Sequence, residues 1–487
     1  KNSNTVKTAV KRSNSLYSTT EYKYDVMGNN VAEIPENGDS DIVTQYEYDV
    51  AGRVMKMITG LTEYSETPAG GAVTQCEYNS SGFVSKVTDP MGGVETYNEY
   101  DHAGNVLSVT DRNSNTIRNT YSAYGLKKSR SESSPETKEY TYDGLGHVIK
   151  SSSVNKDGET VEETYSYDGL GRLTLSTGNN GDTQSYSYDS NSNLMSYELN
   201  GEGENEVSYE YDALNRLTKL TNNGIITTYE YDENGNLLKK EQDNGVSTEY
   251  VYNDAGLVTS LMTMKGNDVY TSSTVSYLLN GMISAVNLSG NAKWYNYDIA
   301  GRLKEELVNS GTGIPMYANY KYDAYGNRTE KSSYADNGET IDTTVYSYDL
   351  NNRLISESLE KTGKNSGYKN TRYYYDGNGN MTAKQSWGSD TASDSETVSS
   401  EADVTGYAED SGTAVYRYDA FGRLTDYNTT SMAVSYKYNA DNLRTQKTVN
   451  GTETRYVWNG ENLAGEYGGS SGIYTYDGQG IHISNKD

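Results

Sequence analysis

The amino-acid sequence predicts an all-β protein of about 20 β-hairpins, arranged in one long antiparallel sheet that spirals into a hollow shell. Three observations predict this fold class: a short phrase that recurs along the chain, alternation of side chains within it, and an unusual composition. The chain has 487 residues, with 49 Tyr, 2 Phe and a net charge of −27. High net charge with few aliphatic residues is typical of disorder, but so many aromatic residues are not. The composition therefore indicates an ordered chain without a conventional aliphatic core.

The recurring phrase has the pattern Tyr-x-Tyr-Asp-x-x-Gly-(Asn/Arg)-(Leu/Val). Its clear copies carry Asp25, Asp49, Asp101, Asp143, Asp168, Asp189, Asp212, Asp232, Asp298, Asp323, Asp349, Asp376 and Asp419. Degenerate copies centre on Asn79, Ser122, Asn253, Leu278, Asn439, Asn459 and Asp477. The copies follow one another at intervals of about 24 residues, which is typical of repeat proteins. We therefore assign residues 21–487 to one repeat array and residues 1–20 to an N-terminal edge segment.

Each copy is predicted to form a β-hairpin, as the copy from Tyr209 to Leu217 illustrates. Tyr209 and Tyr211 are two residues apart and so lie on one sheet face. The carboxylate of Asp212 can accept hydrogen bonds from backbone amides in a turn. Asn215 occupies the usual Gly position, where a type I turn with a G1 bulge needs a positive φ. Leu217 then opens the returning strand.

A second, variable turn is predicted about ten residues later, as at Asn222-Asn223-Gly224, because Asn-Gly is a strong hairpin signal. Each unit then supplies two strands, and the whole chain supplies about 40. At ~4.8 Å per strand these make a ribbon of roughly 190 Å, too wide for a barrel filled by side chains. A sheet of this width twists and must curl. We expect a hollow shell.

Tyrosine ladders are predicted to stabilise this sheet, because aromatic pairs on neighbouring strands each add on the order of 0.5–1 kcal/mol. The predicted structural residues are the thirteen turn aspartates and these ladder tyrosines. The ladder residues are Tyr22, Tyr24, Tyr46, Tyr48, Tyr165, Tyr167, Tyr209, Tyr211, Tyr229, Tyr231, Tyr416 and Tyr418.

The segments 165–173 and 416–424 resemble the YD repeats of the RHS family, and 88–94 resembles the linker between its repeats. The resemblance covers about residues 20 to 480. The family includes bacterial RHS toxins, the B–C cocoon of Tc insecticidal toxins and animal teneurins. It implies a hollow β-shell, which in the bacterial toxins encloses a C-terminal toxin.

Residues 455–487 resemble the last repeats before the region that caps such shells. The sequence includes neither a capping region nor a toxin domain after them. Two alternatives remain open: a fragment of a longer protein, or a repeat region without cargo.

No catalytic residue, cofactor or metal site is predicted. The turn aspartates do not have the Gly-Gly-x-Gly-x-Asp spacing of calcium-binding β-rolls. The segment 468–472 matches Gly-x-Ser-x-Gly and is followed by Asp477 and His482, as in a hydrolase. That pattern is meaningful only on a strand–turn–helix, so we interpret it as a flexible hairpin turn. His102 and His147 are interpreted as exposed turn residues.

Cys76, the only cysteine, excludes an intramolecular disulfide and is predicted to be a buried, inert thiol. No apolar stretch approaches the roughly 20 residues that span a bilayer. The charge of −27 disfavours a nucleic-acid partner, because phosphates are repelled. The acidic segment 389–412 is predicted to be a solvated loop around a decayed repeat at Tyr407; a partner-binding loop is the alternative.

The function predicted from these features is a non-enzymatic shell of a bacterial RHS or polymorphic toxin, secreted or at the cell surface. Its partner would be an enclosed polypeptide or toxin cargo. The alternative is an extracellular adhesion or carbohydrate-binding scaffold whose partner is a cell-surface glycan or protein.

Overall fold

The computed structural model describes most of the chain and contains strands and turns only. The described residues are 5–11, 17–36, 42–202, 204–309, 316–335, 338–362, 366–389, 412–469, 471–476 and 482–486. They form 41 strands in a single sheet and no helix.

The strands are named β1 to β41 in chain order. The first ten are Lys7–Lys11, Tyr17–Tyr24, Asn30–Glu36, Val43–Tyr48, Val54–Leu61, Ala72–Tyr78, Val84–Thr88, Val94–Tyr100, Val106–Thr110 and Thr116–Ser122. Strands β11 to β20 are Gly125–Ser131, Thr137–Tyr142, Val148–Val154, Thr160–Tyr167, Leu173–Thr177, Thr183–Tyr188, Leu194–Asn200, Asn205–Tyr211, Leu217–Asn222 and Ile225–Tyr231. Strands β21 to β30 are Leu237–Gln242, Val246–Tyr252, Val258–Lys265, Asp268–Tyr277, Ile283–Leu288, Asn291–Tyr297, Leu303–Asn309, Met316–Tyr322, Arg328–Tyr334 and Thr340–Tyr348. Strands β31 to β41 are Leu354–Lys361, Gly367–Tyr375, Met381–Ser389, Thr413–Tyr418, Leu424–Asn428, Ala433–Tyr438, Arg444–Val449, Thr452–Asn459, Asn462–Gly468, Gly472–Tyr476 and His482–Lys486.

Each strand pairs antiparallel with the strands before and after it in the chain. Among the described residues, β1 pairs only with β2 and β41 only with β40, so the sheet has two open edges and does not close into a barrel. The predicted fold class, one long antiparallel sheet of consecutive hairpins, is confirmed.

The hairpins have the predicted turn at one end, which we call the YD turn. In the copy at Asp212, the Asn215 amide donates to the Asp212 carbonyl at 3.0 Å, and the Asp212 amide donates to the Arg216 carbonyl at 2.9 Å. Asn215 has a φ of 60°, which confirms the left-handed position inferred from the sequence. The pairing slips by one residue between Glu210 and Tyr211, so a bulge accompanies the turn.

The sheet winds into a spiral, because residues far apart in sequence meet. Tyr140 donates to the carbonyl of Ala440, 300 residues later, and Asn205 donates to Thr475, 270 residues later. Earlier in the chain, the side chain of Asn113 donates to the carboxylate of Asp376, 263 residues later. One turn of the spiral therefore takes about 23 strands, which at ~4.8 Å each gives a circumference of about 110 Å.

The spiral is a wall with little solid core. Its accessible surface is 26,586 Å², whereas a compact monomer of this mass would expose about 18,000 Å². The largest buried apolar cluster lies on β17 to β20, around Leu199 and Leu220, and includes Ala464 from the second turn of the spiral. The main core therefore lies where successive turns touch.

Candidate functional site

The surface on which two successive turns of the spiral meet is the best-defined site in the structure, and we call it the seam. YD turns and adjoining strand ends of β28 to β40 rest on the variable-turn ends of β5 to β18. At the start of the seam, the ring of Tyr325 packs so closely on Gly60 that a Cβ atom at this position would lie 2.1 Å from its Cζ. Among the described residues, the hydrogen bonds that cross the seam all involve a side chain. The two turns are thus fastened by side chains rather than by a backbone ladder.

Asn439 shows how one repeat is adapted to the seam. Its Oδ1 accepts from the amides of Asp441 and Leu443 at 3.1 and 2.9 Å, as the aspartate of a clear copy would. Its Nδ2 donates across the seam to both carboxylate oxygens of Glu163, at 3.2 and 3.0 Å. Burial is the main cause of the raised pKa of Glu163. An aspartate at position 439 would place a second carboxylate against this one.

A second adaptation is the ion pair of Arg423 and Asp419. Nε of Arg423 donates to Oδ2 of Asp419 at 2.6 Å, and the two side chains are only 7% and 3% exposed. Arg423 also donates to the carbonyl of Asn439 at 3.0 Å and across the seam to Ser153 at 3.4 Å. The same pair away from the seam, Arg216 with Asp212, is 30% and 24% exposed. Docking of the turns therefore buries the Arg423–Asp419 copy of this motif more deeply than the copy at Arg216 and Asp212.

The predicted turn aspartates all lie at YD turns. Each accepts a hydrogen bond from the backbone amide four residues later, as Asp212 does from Arg216 at 2.9 Å. The other twelve are Asp25, Asp49, Asp101, Asp143, Asp168, Asp189, Asp232, Asp298, Asp323, Asp349, Asp376 and Asp419. That these aspartates stabilise the folded sheet stays a prediction.

The second tyrosine of each copy makes a recurrent contact that sequence reasoning missed. The Tyr211 hydroxyl donates to the carbonyl of Leu194 at 3.0 Å, and Leu194 opens the returning strand of the preceding repeat. Sixteen further tyrosines make the equivalent bond: Tyr48, Tyr78, Tyr100, Tyr121, Tyr142, Tyr167, Tyr188, Tyr231, Tyr252, Tyr277, Tyr297, Tyr322, Tyr348, Tyr375, Tyr418 and Tyr438. Trp458 replaces the hydroxyl with its indole N–H, 2.8 Å from the Arg444 carbonyl. The ratio of 49 Tyr to 2 Phe was the available signal.

The rest of the predicted ladder lies on the same strands. Tyr46 and Tyr48 have ring centroids 6.5 Å apart, and Tyr416 packs on Tyr427 at 5.2 Å. Tyr209 and Tyr229 are both buried. Tyr22, Tyr24, Tyr165 and Tyr167 are half-buried in β2 and β14. The stabilising effect of the ladder as a whole remains a prediction.

Replacing Tyr211 by Phe tests the hydroxyl contact. We expect a loss of about 1 kcal/mol in the free energy of unfolding, because the Leu194 carbonyl loses its side-chain donor. Tyr317→Phe is the control, since this side chain is 40% exposed and should change stability by less than about 0.5 kcal/mol. Urea denaturation measures both, and equal losses would contradict the proposed role of the hydroxyl.

Lys138 makes the seam sensitive to pH. Burial and the nearby Arg423 lower its pKa to about 8, whereas Asp419 and Asp441 act in the opposite direction. The folded state therefore binds fewer protons than the unfolded state between pH 8 and pH 10.5, so stability rises with pH in that window. We expect a gain of about 1–2 kcal/mol between pH 7 and pH 9.5.

The matched variant for this prediction is Lys138→Met, in which the rise should disappear. Stability is measured by urea denaturation at several pH values below 10. Burial raises the pKa of many tyrosines, such as Tyr211. Above pH 10 these tyrosines ionise in the unfolded chain first, which lowers stability. A rise of the same size in the variant would show that another group is responsible.

Three minor sequence interpretations need comment. His102 is exposed, as predicted. The prediction for His147 was wrong: it is half-buried, with Nδ1 2.9 Å from Asp143 and its ring stacked on Tyr167 at 4.8 Å. It occupies the position that Arg takes in other copies and packs on the next tyrosine as Arg does. Cys76 is half-buried rather than buried.

The segment 468–472 joins the antiparallel strands β39 and β40, so it connects a hairpin as predicted. Ser470 and Asp477 lie outside the described residues, as do residues 390–411 of the acidic segment and Tyr407 within it. Within the described part of the chain, no group of three or more His, Cys, Asp or Glu is placed to hold a metal ion. That part also contains no helix long and apolar enough to cross a membrane.

A spiral of YD hairpins, whose successive turns are joined by side chains at the seam, defines a shell-type β fold. A family profile described as the teneurin YD-shell matches residues 116–270 and 195–386, which is more than half of the chain. A profile described as the RHS repeat matches residues 65–116. The chain belongs to the RHS/YD-repeat family.

Curated relatives include two Bacillus proteins. The tRNA3(Ser)-specific nuclease WapA of Bacillus spizizenii is 32% identical over 197 residues, which are 39% of this chain and 8% of that protein. The tRNA nuclease WapA of Bacillus subtilis is 28% identical over 247 residues, 49% of this chain and 10% of that protein. The match thus spans a tenth or less of these relatives.

Solved structures with a similar fold include the TcdB2-TccC3-TEV protein, at a TM-score of 0.51 and 15% identity over 96% of this chain and 27% of that one. The Photorhabdus luminescens Tc holotoxin pore matches with a TM-score of 0.51 and 14% identity over the same shares. At these identities the likeness shows the fold.

Proposed function

We propose that this chain forms part of the wall of a shell that encloses a polypeptide cargo in a secreted or surface-displayed bacterial toxin. The seam is the observation that carries this proposal. A sheet with two free edges could remain an open ribbon, whereas buried contacts such as Asn439 with Glu163 join successive turns into a continuous wall. The likeness to Tc toxin structures and to WapA supports the toxin context.

The wall itself is proposed to be non-enzymatic. The WapA relatives are named as tRNA nucleases, but the match covers a tenth or less of their length. A net charge of −27 repels phosphate backbones. We therefore expect the 487-residue chain to leave tRNA intact in a gel assay. Cleavage that persists after repeated purification would contradict this part of the proposal.

Limited proteolysis of the complete natural gene product tests containment. In the wild-type protein, a stretch of polypeptide outside the repeats should resist cleavage while it is enclosed. Asn439→Asp should expose that stretch, because it weakens the seam, and the matched variant Asn253→Asp should not. Mass spectrometry identifies the cleaved segments. Hydrogen exchange shows whether the seam has opened. If the seam opens only in Asn439→Asp and all three proteins are nevertheless cleaved equally, containment is contradicted.

A second candidate function, glycan binding, is favoured by one groove of about 500 Å³ on β26 to β29. The residues that line it include Trp294 and Tyr317, which are 42% and 40% exposed, together with the polar residues Glu305 and Asn319. Exposed rings flanked by amide and carboxylate groups suit a sugar. Trp294→Ala should abolish binding on a glycan array, whereas Tyr270→Ala, outside the groove, should not. Absence of binding by the wild-type chain would contradict this candidate.

A further inference from the structure

We propose that a cavity in the seam is a binding site for an organic cation, an ammonium or guanidinium group. The cavity has a volume of about 580 Å³ and lies between strands of the first turn, β12 to β16, and strands of the second, β36 to β38. This volume falls within the range of small-molecule sites. Because both turns supply its walls, the site exists only while the seam is closed.

The charges around this cavity leave a negative excess. Its charged lining residues are Glu159, Glu163, Asp182, Lys437, Asp441 and Arg455. The two basic side chains are already paired, Lys437 with Glu159 at 2.9 Å and Arg455 with Asp182 at 3.6 Å. Neither Glu163 nor Asp441 forms an ion pair with a basic side chain in the part of the chain that the structure describes. Glu163 and Asp441 thus line the cavity without a basic side chain in ion-pair contact.

Aromatic rings complete a site suited to a cation. Tyr165 donates its hydroxyl to Glu163 at 3.0 Å, and the Tyr140 hydroxyl, which donates to the Ala440 carbonyl, lies 3.2 Å from Oδ1 of Asp441. Both tyrosines line the cavity, together with Tyr456. Carboxylates hold the charge of an ammonium group, and ring faces attract it through their quadrupoles.

Lys138 lies near enough to Asp441 for their charges to interact, but it is not among the residues that line the cavity. Its ammonium group lies over the ring of Phe421, 4.6 Å from the centroid, and donates to Asn442. Burial raises the pKa of Glu163, and the charge of Asp441 adds to the effect. A bound cation would stabilise the ionised form of Glu163 and so oppose both effects, and it would also join the two turns more tightly.

Two sources share the required chemistry: a lysine or arginine side chain of a polypeptide, and a free polyamine. Isothermal titration calorimetry of the 487-residue chain separates them with two probes, Nα-acetyl-lysine amide and 1,5-diaminopentane. Binding of the first at least as tight as that of the second indicates a polypeptide side chain. Binding of the diamine alone indicates a free polyamine. Failure of both probes to bind at about 10 mM would overturn the proposal.

Variants locate the site. Glu163→Gln keeps an acceptor for Asn439 and removes the charge, and Asp441→Asn changes an exposed turn residue that should not affect folding. Each should weaken binding by about tenfold or more, which corresponds to about 1.4 kcal/mol. The control Glu230→Gln, an exposed acid outside the cavity, should leave the dissociation constant unchanged. An unchanged constant in both Glu163→Gln and Asp441→Asn would overturn the assignment. The site depends only on the closed seam, so this failure would leave containment unaffected.

Discussion

Replacing Asn439 by Asp is expected to lower the free energy of unfolding by about 2–3 kcal/mol, because it places an unpaired charge at a buried position. In the wild-type protein the Asn439 amide donates to both oxygens of Glu163. The variant replaces this donor with a carboxylate 3.0–3.2 Å from another. Urea denaturation gives the stability, and hydrogen exchange should show the loss in β36 and β37.

The control for this substitution is Asn253→Asp. Asn253 also takes the place of the turn aspartate, and it accepts from the amides of Ala255 and Leu257 at 3.0 Å. Among the described residues Asn253 forms no hydrogen bond across the seam, and the change should alter stability by less than about 0.5 kcal/mol. Glu163→Gln should restore most of the loss in Asn439→Asp, because a neutral amide can donate to the new carboxylate. Equal effects of the two Asn→Asp changes would contradict the importance of the seam contact.

Replacing Arg423 by Leu is expected to have a still larger effect, a loss of about 3–5 kcal/mol. The substitution leaves the carboxylate of Asp419 buried without its cation, and it removes the donors to Ser153 and to the Asn439 carbonyl. Because one of these contacts crosses the seam, the variant should lose protection from hydrogen exchange on both β13 and β36.

The same change at Arg216 provides the comparison. Arg216 pairs with Asp212 in an equivalent turn, but these side chains are 30% and 24% exposed, several times more than those of Arg423 and Asp419. Arg216→Leu should lower stability by about 1 kcal/mol, since exposed ion pairs contribute little. Comparable losses for the two variants would show that the turn motif, and not its burial in the seam, determines the energy.

Local chemistry explains why so much of the fold could be predicted. A turn depends on a few neighbouring residues, so Asp212 and Asn215 were sufficient to predict its hydrogen bonds and positive φ. Alternation with a period of two predicted the strands, and a repeat of this length required one long sheet. These features involve contacts between residues close in sequence or in adjacent repeats.

Burial was harder to predict, because it depends on residues that are distant in sequence. His147 was interpreted as an exposed turn residue, yet its ring packs on Tyr167 of the next repeat. Only ring packing was predicted for the ladder tyrosines, whereas the Tyr211 hydroxyl also donates to a carbonyl 17 residues earlier. Composition signalled the preference for Tyr over Phe but not the acceptor.

The hairpin, its turn and the consecutive order of strands can be inferred from the sequence, because each follows from interactions within about 24 residues. Which repeats meet after a full turn of the spiral is visible only in the folded sheet. That pairing depends on sheet twist and curvature accumulated over about 23 strands, and no single repeat encodes it. Asn439 illustrates the difference. In the sequence it marks a degenerate copy of the repeat, in which Asn replaces the turn aspartate. In the folded wall its amide donates to Glu163 and so allows that carboxylate to be buried.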